Sequence, residues 1–176
     1  MMIKTKYISY FTFILICIVA FSKTTKAQPW GAGASVLYNP QTESFGAGIR
    51  AEIPYNKLRI VPQLSYYPSF NKVTEYYLGV AAHLDFMETR SWKVYAIALA
   101  SYNHWINYHS NSKLTGKPNN WDGELGLGWT TQKCLRPFIE YRYNFKWKET
   151  NLGIGFVYTF NCKDGKSRSS INCPGH

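Results

Sequence analysis

The chain has 176 residues, a formal net charge of +10, and a composition of 45% hydrophobic and 17% aromatic residues. That length is expected for a single domain. The basic residues form no run with the spacing of a nucleic-acid-binding motif, so we expect no nucleic acid partner.

The first 27 residues have the composition of a secretory signal peptide. Lys4 and Lys6 give a basic start, residues 10–21 an apolar core, and residues 25–27 a small-residue cleavage site. Of the 20 basic and 10 acidic residues in the chain, cleavage after Ala27 removes four lysines and no acid, leaving a formal charge of about +6. No later apolar run is long enough for a transmembrane helix, so any membrane crossing has to be made by strands.

Eight segments with strand character follow, separated by turn residues. Their connections alternate between two groups, and the longest, residues 106–120, belongs with residues 39–43 and 148–150. With a periplasmic N-terminus this group is extracellular, and the C-terminus is also periplasmic. The predicted strands are roughly 30–38, 44–53, 58–67, 74–86, 92–105, 121–131, 135–147 and 151–160.

The clearest alternation is in residues 135–160, a predicted hairpin. Successive strand side chains point to opposite faces, so one face here is apolar and aromatic, and the other is charged or very small. Two strands of about ten residues with aromatics near their ends are typical of a transmembrane β-barrel.

Alternation alone does not say which face is inside, and a soluble barrel such as a lipocalin would turn the apolar face inward. The opposite face favours a membrane barrel, because its side chains are too small for a solvent-exposed face but suit the narrow lumen of eight strands. This small face comprises Gly31, Gly33, Gly46, Gly48, Gly79, Ala81, Ala96, Ala98, Ala100, Gly126, Gly128, Gly153 and Gly155. The face predicted to meet lipid comprises Leu58, Ile60, Leu64, Leu78, Val80, Leu84, Ile97, Leu99, Leu125 and Leu127.

Aromatic residues bracket the apolar face at both ends, as in the two interfacial girdles of membrane barrels. The outer-rim set is Tyr66, Trp105, Trp121 and Trp147, and the inner-rim set is Phe86, Trp129, Tyr158 and Phe160. We therefore predict an all-β fold, an eight-stranded antiparallel up-and-down transmembrane β-barrel over residues 28–160, located in the cell outer membrane.

The same alternation directs charged residues of both signs into the lumen. Isolated charges there would be costly, so mutual pairing is expected. The arrangement could serve as an ion path, but a plugged, salt-bridged interior is the favoured interpretation, because eight strands leave little free bore. The predicted lumen network is Arg50, Glu52, Arg59, His83, Asp85, Asp122, Glu124, Arg136, Glu140, Arg142 and Lys146.

The leader, the eight alternating strands and the aromatic-terminated last strand resemble the small OmpA/OmpX-type outer-membrane barrels. The resemblance implies that the last strand is the signal read by the barrel-assembly machinery, here Leu152, Ile154, Phe156, Tyr158 and Phe160. The chain continues for sixteen residues after Phe160, so such recognition would act on an internal segment. This polar tail, residues 161–176, is predicted to lie in the periplasm.

Three cysteines follow the leader, Cys134, Cys162 and Cys173, in a compartment that favours disulfides. By strand alternation Cys134 faces inward and Cys162 outward, so the favoured pair is Cys162–Cys173, which would close the tail into a loop. A Cys134–Cys162 pair remains open if the rim is irregular. A free or intermolecular thiol and a zinc site formed by Cys134, Cys162, Cys173 and His176 are further alternatives, although no metal or cofactor is predicted.

Residues 108–124 partly resemble the lipid A 3-O-deacylase signature, His-x-Ser-Asn followed by Pro-Asn and an acid. The resemblance implies Ser110 as nucleophile, His109 as base and Glu124 as the acid that orients the histidine. The family places its histidine two residues before the serine, whereas His109 is adjacent to Ser110, and adjacent strand residues point apart. His104 is the other candidate base.

These observations predict a non-enzymatic structural or accessory subunit of the cell envelope. Its expected contacts are outer-membrane lipid, lipopolysaccharide and another envelope protein bound through residues 161–176. A lipid A-modifying esterase acting through Ser110 and a narrow channel are the alternative functions.

Overall fold

The computed structural model describes residues 30–68, 74–106 and 118–162, and these form one closed antiparallel barrel of eight strands. Each strand pairs with its neighbours in chain order, and the barrel closes where the first strand pairs with the last. The strands are β1 (Gly31–Asn39), β2 (Ser44–Tyr55), β3 (Leu58–Tyr67), β4 (Thr74–Glu88), β5 (Trp92–Ile106), β6 (Asn119–Thr131), β7 (Leu135–Asn144) and β8 (Glu149–Thr159). The predicted fold class and all eight predicted strands are confirmed, while the predicted leader, residues 1–27, lies outside the described part of the chain.

The two ends of the barrel differ in the connections that they carry. We call one the disulfide end; it contains the start of β1, the end of β8 and the short turns that follow β2, β4 and β6. The other, the loop end, carries the connections that follow β1, β3, β5 and β7. The longest connection, between β5 and β6, is at the loop end, as the alternation of turns predicted.

Strand β7 is shorter than predicted because Asn144 ends it. The side-chain Oδ1 of Asn144 accepts hydrogen bonds from the backbone N–H groups of Lys146 (3.0 Å) and Trp147 (3.1 Å). An asparagine that binds the backbone two and three residues ahead stabilises a turn instead of a strand. Lys146 and Trp147 therefore lie in the β7–β8 turn.

The outward side chains are mostly large and apolar. On β8, Ile154 is 60% exposed and Phe156 is 56% exposed, and similar residues continue on β2, β4, β6 and β7. A closed belt of this kind is far larger than the apolar patches that water-soluble monomers expose, and it matches the lipid-facing band of membrane barrels. In the described ranges, no helix is long and apolar enough to cross a membrane.

Strand β5 faces the opposite way from the prediction. Ile97 and Leu99, predicted to meet lipid, are buried in the lumen, with 2% and 6% exposure, while Ala98 and Ala100 are exposed on the outside. The sequence interpretation placed the smaller residues inward, but residues 96–100 are apolar on both faces of β5, so alternation within this segment does not distinguish them. The outward alanines and Gly123 leave a groove of about 420 Å³ on the lipid-facing surface.

Neighbouring glycines explain why β5 turns its larger residues inward. A Cβ atom on Gly128 would collide with the ring of Tyr95, and one on Gly79 would lie 2.9 Å from Cδ1 of Leu99. These glycines of β6 and β4 leave space in the lumen that Tyr95 and Leu99 occupy. Close packing of this space removes voids that would otherwise lower stability.

The aromatic rims are largely as predicted. Tyr66 and Trp121 are exposed at the loop end, and Phe86, Trp129 and Tyr158 are exposed at the disulfide end, where Phe160 stacks on Trp30 with ring centroids 4.2 Å apart. Trp105 and Trp147 differ from the prediction, because both are half-buried and their rings contact each other at 5.6 Å. The reversed orientation of β5 and the turn after Asn144 account for this difference.

Candidate functional site: the ion-paired lumen

The middle of the lumen is bridged by an arginine–glutamate pair. Arg50 of β2 donates two hydrogen bonds to Glu140 of β7, from Nη1 to Oε1 at 2.5 Å and from Nη2 to Oε2 at 2.9 Å. Tyr95 of β5 donates a third hydrogen bond to Oε1 of Glu140 at 2.9 Å. The guanidinium of Arg50 also lies 4.1 Å from the centre of the Phe138 ring. This buried bidentate pair and the Tyr95 hydroxyl together join β2, β5 and β7, which are not neighbours in the sheet.

A second cluster lies toward the disulfide end. Arg59 contacts Glu52 at 3.2 Å and Asp85 at 2.7 Å. Lys93 contacts the other oxygen of Asp85 at 2.7 Å, and Arg136 contacts Glu52 at 2.6 Å. Each carboxylate therefore serves two cations, which offsets part of the cost of removing these charges from water.

A third cluster lies toward the loop end. Arg142 contacts Glu124 at 3.3 Å, and the amides of Asn144 and Asn151 donate to the other oxygen of Glu124 at 3.4 and 3.0 Å. Asp122 accepts hydrogen bonds from Asn144 at 3.1 Å and from the hydroxyl of Ser101. These contacts engage both acids of β6 inside the barrel.

His83 contributes packing to the lumen. Its ring is 1% exposed and stacks on Tyr95 with ring centroids 4.8 Å apart. Arg59 approaches the ring of Tyr95 at 4.4 Å, so Tyr95 contacts both a histidine and a cation. Within residues 30–68, 74–106 and 118–162, no group of three or more His, Cys, Asp or Glu side chains could hold a metal ion.

The third cluster leaves little free volume beside it. An internal cavity lined by Ser65, Tyr67, Ser101 and Arg142, among others, measures about 10 Å³. That volume corresponds to about one water molecule. In the middle of the barrel and toward the loop end the lumen is filled by side chains, whereas at the disulfide end the second cluster borders a larger cavity of about 330 Å³.

Ten of the eleven predicted lumen residues lie in the barrel interior, and Lys146 does not. Lys146 is exposed in the turn after β7, where its Nζ donates to Oδ1 of Asn120 at 2.8 Å and to the Trp121 carbonyl at 3.2 Å. The prediction extended the strand alternation through this position, but the strand ends at Asn144.

Sequence reasoning missed several inward polar residues. Tyr95, Ser101 and Asn103 of β5 face the lumen, and Asn103 donates to Glu75 at 2.9 Å. Tyr77 also donates to Glu75, at 2.8 Å. Ser101 and Asn103 were the available signal: they share the odd positions of β5 with Ile97 and Leu99, so their polarity indicated the inward face.

Cys134 and Cys162 form a disulfide at the rim of the disulfide end, with Cα atoms 5.5 Å apart. The favoured Cys162–Cys173 pairing is therefore wrong, and the alternative pairing is the one present. The alternation of β8 does not extend to Cys162, because the strand ends at Thr159 and Asn161 adopts a left-handed backbone conformation (φ 55°). Cys173 and His176, the other members of the alternative zinc site, lie outside the described residues.

The residues of the partial esterase motif are not assembled in the described part of the chain. Glu124 points into the lumen and is engaged by Arg142 and two asparagine amides. His104 points outward, and its ring centroid lies 5.1 Å from that of Tyr76. The Nδ1 atom of His104 lies 2.5 Å from Oδ1 of Asn119. His109 and Ser110 lie outside the described residues.

Comparisons with known proteins rest on structure alone. No family model matches the sequence, and no curated protein matches it. A de novo designed transmembrane β-barrel matches with a TM-score of 0.58 and 15% identity, over 77% of this chain and 98% of that one. The N-terminal β-barrel domain of Pseudomonas aeruginosa OprF matches with a TM-score of 0.51 and 15% identity, over 74% of this chain and 96% of that one.

The chain has the fold of an eight-stranded membrane β-barrel. At these identities the matches establish the architecture, and the function of this barrel has to be argued from its own side chains. The side chains present a lipid-facing belt outside and a filled, ion-paired lumen inside.

Proposed function

We propose that this barrel is a non-enzymatic structural or accessory subunit of the outer membrane that contacts another envelope component. The observation that carries the proposal is the filled middle of the lumen, where ion pairs are buried and an internal cavity measures about 10 Å³. When the middle of the lumen is filled, the outer belt, the loops and the two ends of the barrel are the surfaces that can contact another envelope component.

The energetics of the lumen argue against a constitutive pore. A permeating ion would have to separate pairs such as Arg50–Glu140, whose side chains are 2% and 1% exposed. Breaking a buried pair costs about 3–5 kcal/mol, because each partner is left as an uncompensated charge. Several such clusters follow one another along the lumen, so a permeating ion would meet this energetic cost more than once.

The orientation and location are part of the proposal. The apolar belt fits outer-membrane lipid, and exposed aromatic rings at both ends fit the interfaces. The Cys134–Cys162 bond fits an oxidising compartment, and the disulfide end carries the short turns while the longest connection lies at the other end, so we assign the disulfide end to the periplasm. Residues 163–176 follow Cys162 directly, which makes this basic segment the natural tether for a periplasmic partner.

The test is affinity purification from outer membranes in mild detergent. It compares the complete chain with a chain lacking residues 163–176, a deletion that retains Cys162 and therefore the disulfide. We expect a near-stoichiometric envelope protein that co-purifies with the complete chain and is lost with the tail. A scrambled version of residues 163–176 is the matched control, because it keeps charge and length.

Recovery of the barrel alone from both chains would contradict the accessory role. Planar-bilayer recordings and lipid A analysis then separate the remaining functions. Resolvable single-channel conductance would support a channel, and altered lipid A acylation that depends on Ser110 would support an esterase.

A further inference from the structure

The disulfide end of the lumen opens into a cavity of about 330 Å³ whose wall is rich in cations. We call this cavity the basic cup; its lining includes Glu52, Arg59, Lys93, Lys133, Arg136 and Cys162. Its lining belongs to the disulfide end, where Lys133 is exposed in the connection after β6. The cup therefore faces the solvent at one end of the molecule.

The charges around the cup do not balance. Four cations, Arg59, Lys93, Lys133 and Arg136, face two carboxylates, Glu52 and Asp85, which already serve three of them. A third carboxylate, Glu88, lies at the rim, where the side-chain amide of Gln132 donates to it at 2.9 Å. An excess of positive charge remains even when Glu88 is counted.

Several donors in the cup also have no acceptor. The Nε atoms of Arg59 and Arg136 are buried and make no hydrogen bond among the described residues. Arg59 is only 3% exposed, and it lines the cup. Lys133 is exposed on the wall and makes no ion pair in the described ranges. A buried N–H without an acceptor is costly, which favours an acceptor-rich occupant.

We propose that the basic cup binds a phosphate-type oxyanion. Such a group carries up to two negative charges and several acceptor oxygens, which matches the charge excess and the spare donors together. Planar guanidinium groups bind phosphate oxygens in forked pairs, and Lys133 supplies a flexible point charge at the entrance. The proposal goes beyond the accessory role and does not depend on it.

The adjoining segment of the chain does not fit as the occupant. Residues 163–168 contain Lys163, Lys166 and Arg168 with Asp164 as the only acid. A basic segment would be repelled by the basic cup, and both would instead attract the same anion. The phosphate can come from free phosphate or from a phospholipid headgroup at the membrane surface, and the experiment distinguishes these sources.

The first arm measures binding of inorganic phosphate by isothermal titration calorimetry to the chain folded in a neutral detergent. We expect one saturable site per barrel. Lys133→Gln should weaken it about ten-fold, because a charged hydrogen bond is lost without disturbing any ion pair. Arg136→Lys should weaken it similarly, since it keeps the charge beside Glu52 but removes the fork. Lys148→Gln, an exposed lysine at the loop end, is the control and should leave binding unchanged.

The second arm reconstitutes the same chains in nanodiscs that contain phosphatidylglycerol and phosphatidylcholine. Enrichment of phosphatidylglycerol that is lost in Lys133→Gln but kept in Lys148→Gln, without binding of inorganic phosphate, would assign the site to a headgroup. Absence of both phosphate binding and enrichment would overturn the proposal. Equal weakening by Lys148→Gln would overturn it as well, because that result reports only general surface charge. The mobility of each unheated barrel on a denaturing gel checks that every variant is folded.

Discussion

Arg50 and Glu140 are 90 residues apart in the chain and meet across the lumen through two parallel hydrogen bonds. They belong to β2 and β7, which are not neighbours in the sheet, so the pair connects opposite walls of the barrel. Arg142 lies 3.9 Å from the same carboxylate, and Tyr95 donates to it. Glu140 therefore joins Arg50, Arg142 and Tyr95 in the middle of the lumen.

We expect Glu140→Gln to lower the free energy of unfolding by about 3–5 kcal/mol, because it leaves Arg50 buried without its counter-charge. Urea unfolding in detergent or lipid vesicles measures this change. The double replacement Arg50→Met with Glu140→Leu removes both charges and should cost clearly less than the single change. Glu88→Gln on the exposed rim is the control and should stay within about 0.5 kcal/mol of the native chain. A Glu140→Gln loss no larger than that of Glu88→Gln would contradict the importance assigned to the pair.

The contact between Gly128 and Tyr95 gives a second prediction. Gly128→Ala should destabilise the barrel by about 1–3 kcal/mol, because the added methyl group overlaps the tyrosine ring. Gly123→Ala is a matched control on the same strand, since its Cβ would meet only the Leu99 carbonyl at 3.8 Å. Combining Gly128→Ala with Tyr95→Leu should recover part of the loss. Equal unfolding free energies for the two single alanine variants would show that this packing does not limit stability.

The orientation of β5 can be tested by site-directed spin labelling in a Cys173→Ser background. A nitroxide on Ala98→Cys should be accessible to oxygen dissolved in the lipid, because this position is exposed on the belt. A nitroxide on Ile97→Cys should be protected from oxygen and strongly immobilised, because position 97 is 2% exposed. The reverse pattern would restore the orientation that the sequence analysis predicted.

The Cys134–Cys162 bond predicts a specific labelling pattern. Maleimide applied to the unreduced, processed chain should modify one cysteine, Cys173, and Cys173→Ser should abolish the modification. Cys134→Ser should release Cys162 for labelling or for a new pairing with Cys173. It should also lower the unfolding free energy by about 2–4 kcal/mol through loss of the cross-link over 28 residues. Absence of labelling in the unreduced native chain would indicate that Cys173 is also bonded.

The number, order and approximate bounds of the strands could be read from the sequence, because alternation and turn residues are local properties. The lumen charges of β2, β3, β4, β6 and β7 were also predictable, since each lies opposite a plainly apolar face. Two predictions were wrong because strand alternation was extended beyond the end of a strand. Lys146 lies beyond the turn at Asn144, and Cys162 lies beyond the bend at Asn161.

The sequence by itself therefore determined that the chain forms an eight-stranded barrel with a lipid-facing belt. Only the tertiary structure decided which face of β5 turns inward, which charges pair, and which cysteines join. In the middle of β5, alanines alternate with Ile97 and Leu99, so this segment does not settle the orientation locally, and only Ser101 and Asn103 further along the strand indicate it. The orientation is set by the space that Gly79 and Gly128 leave on neighbouring strands, which only residues as large as Leu99 and Tyr95 can fill.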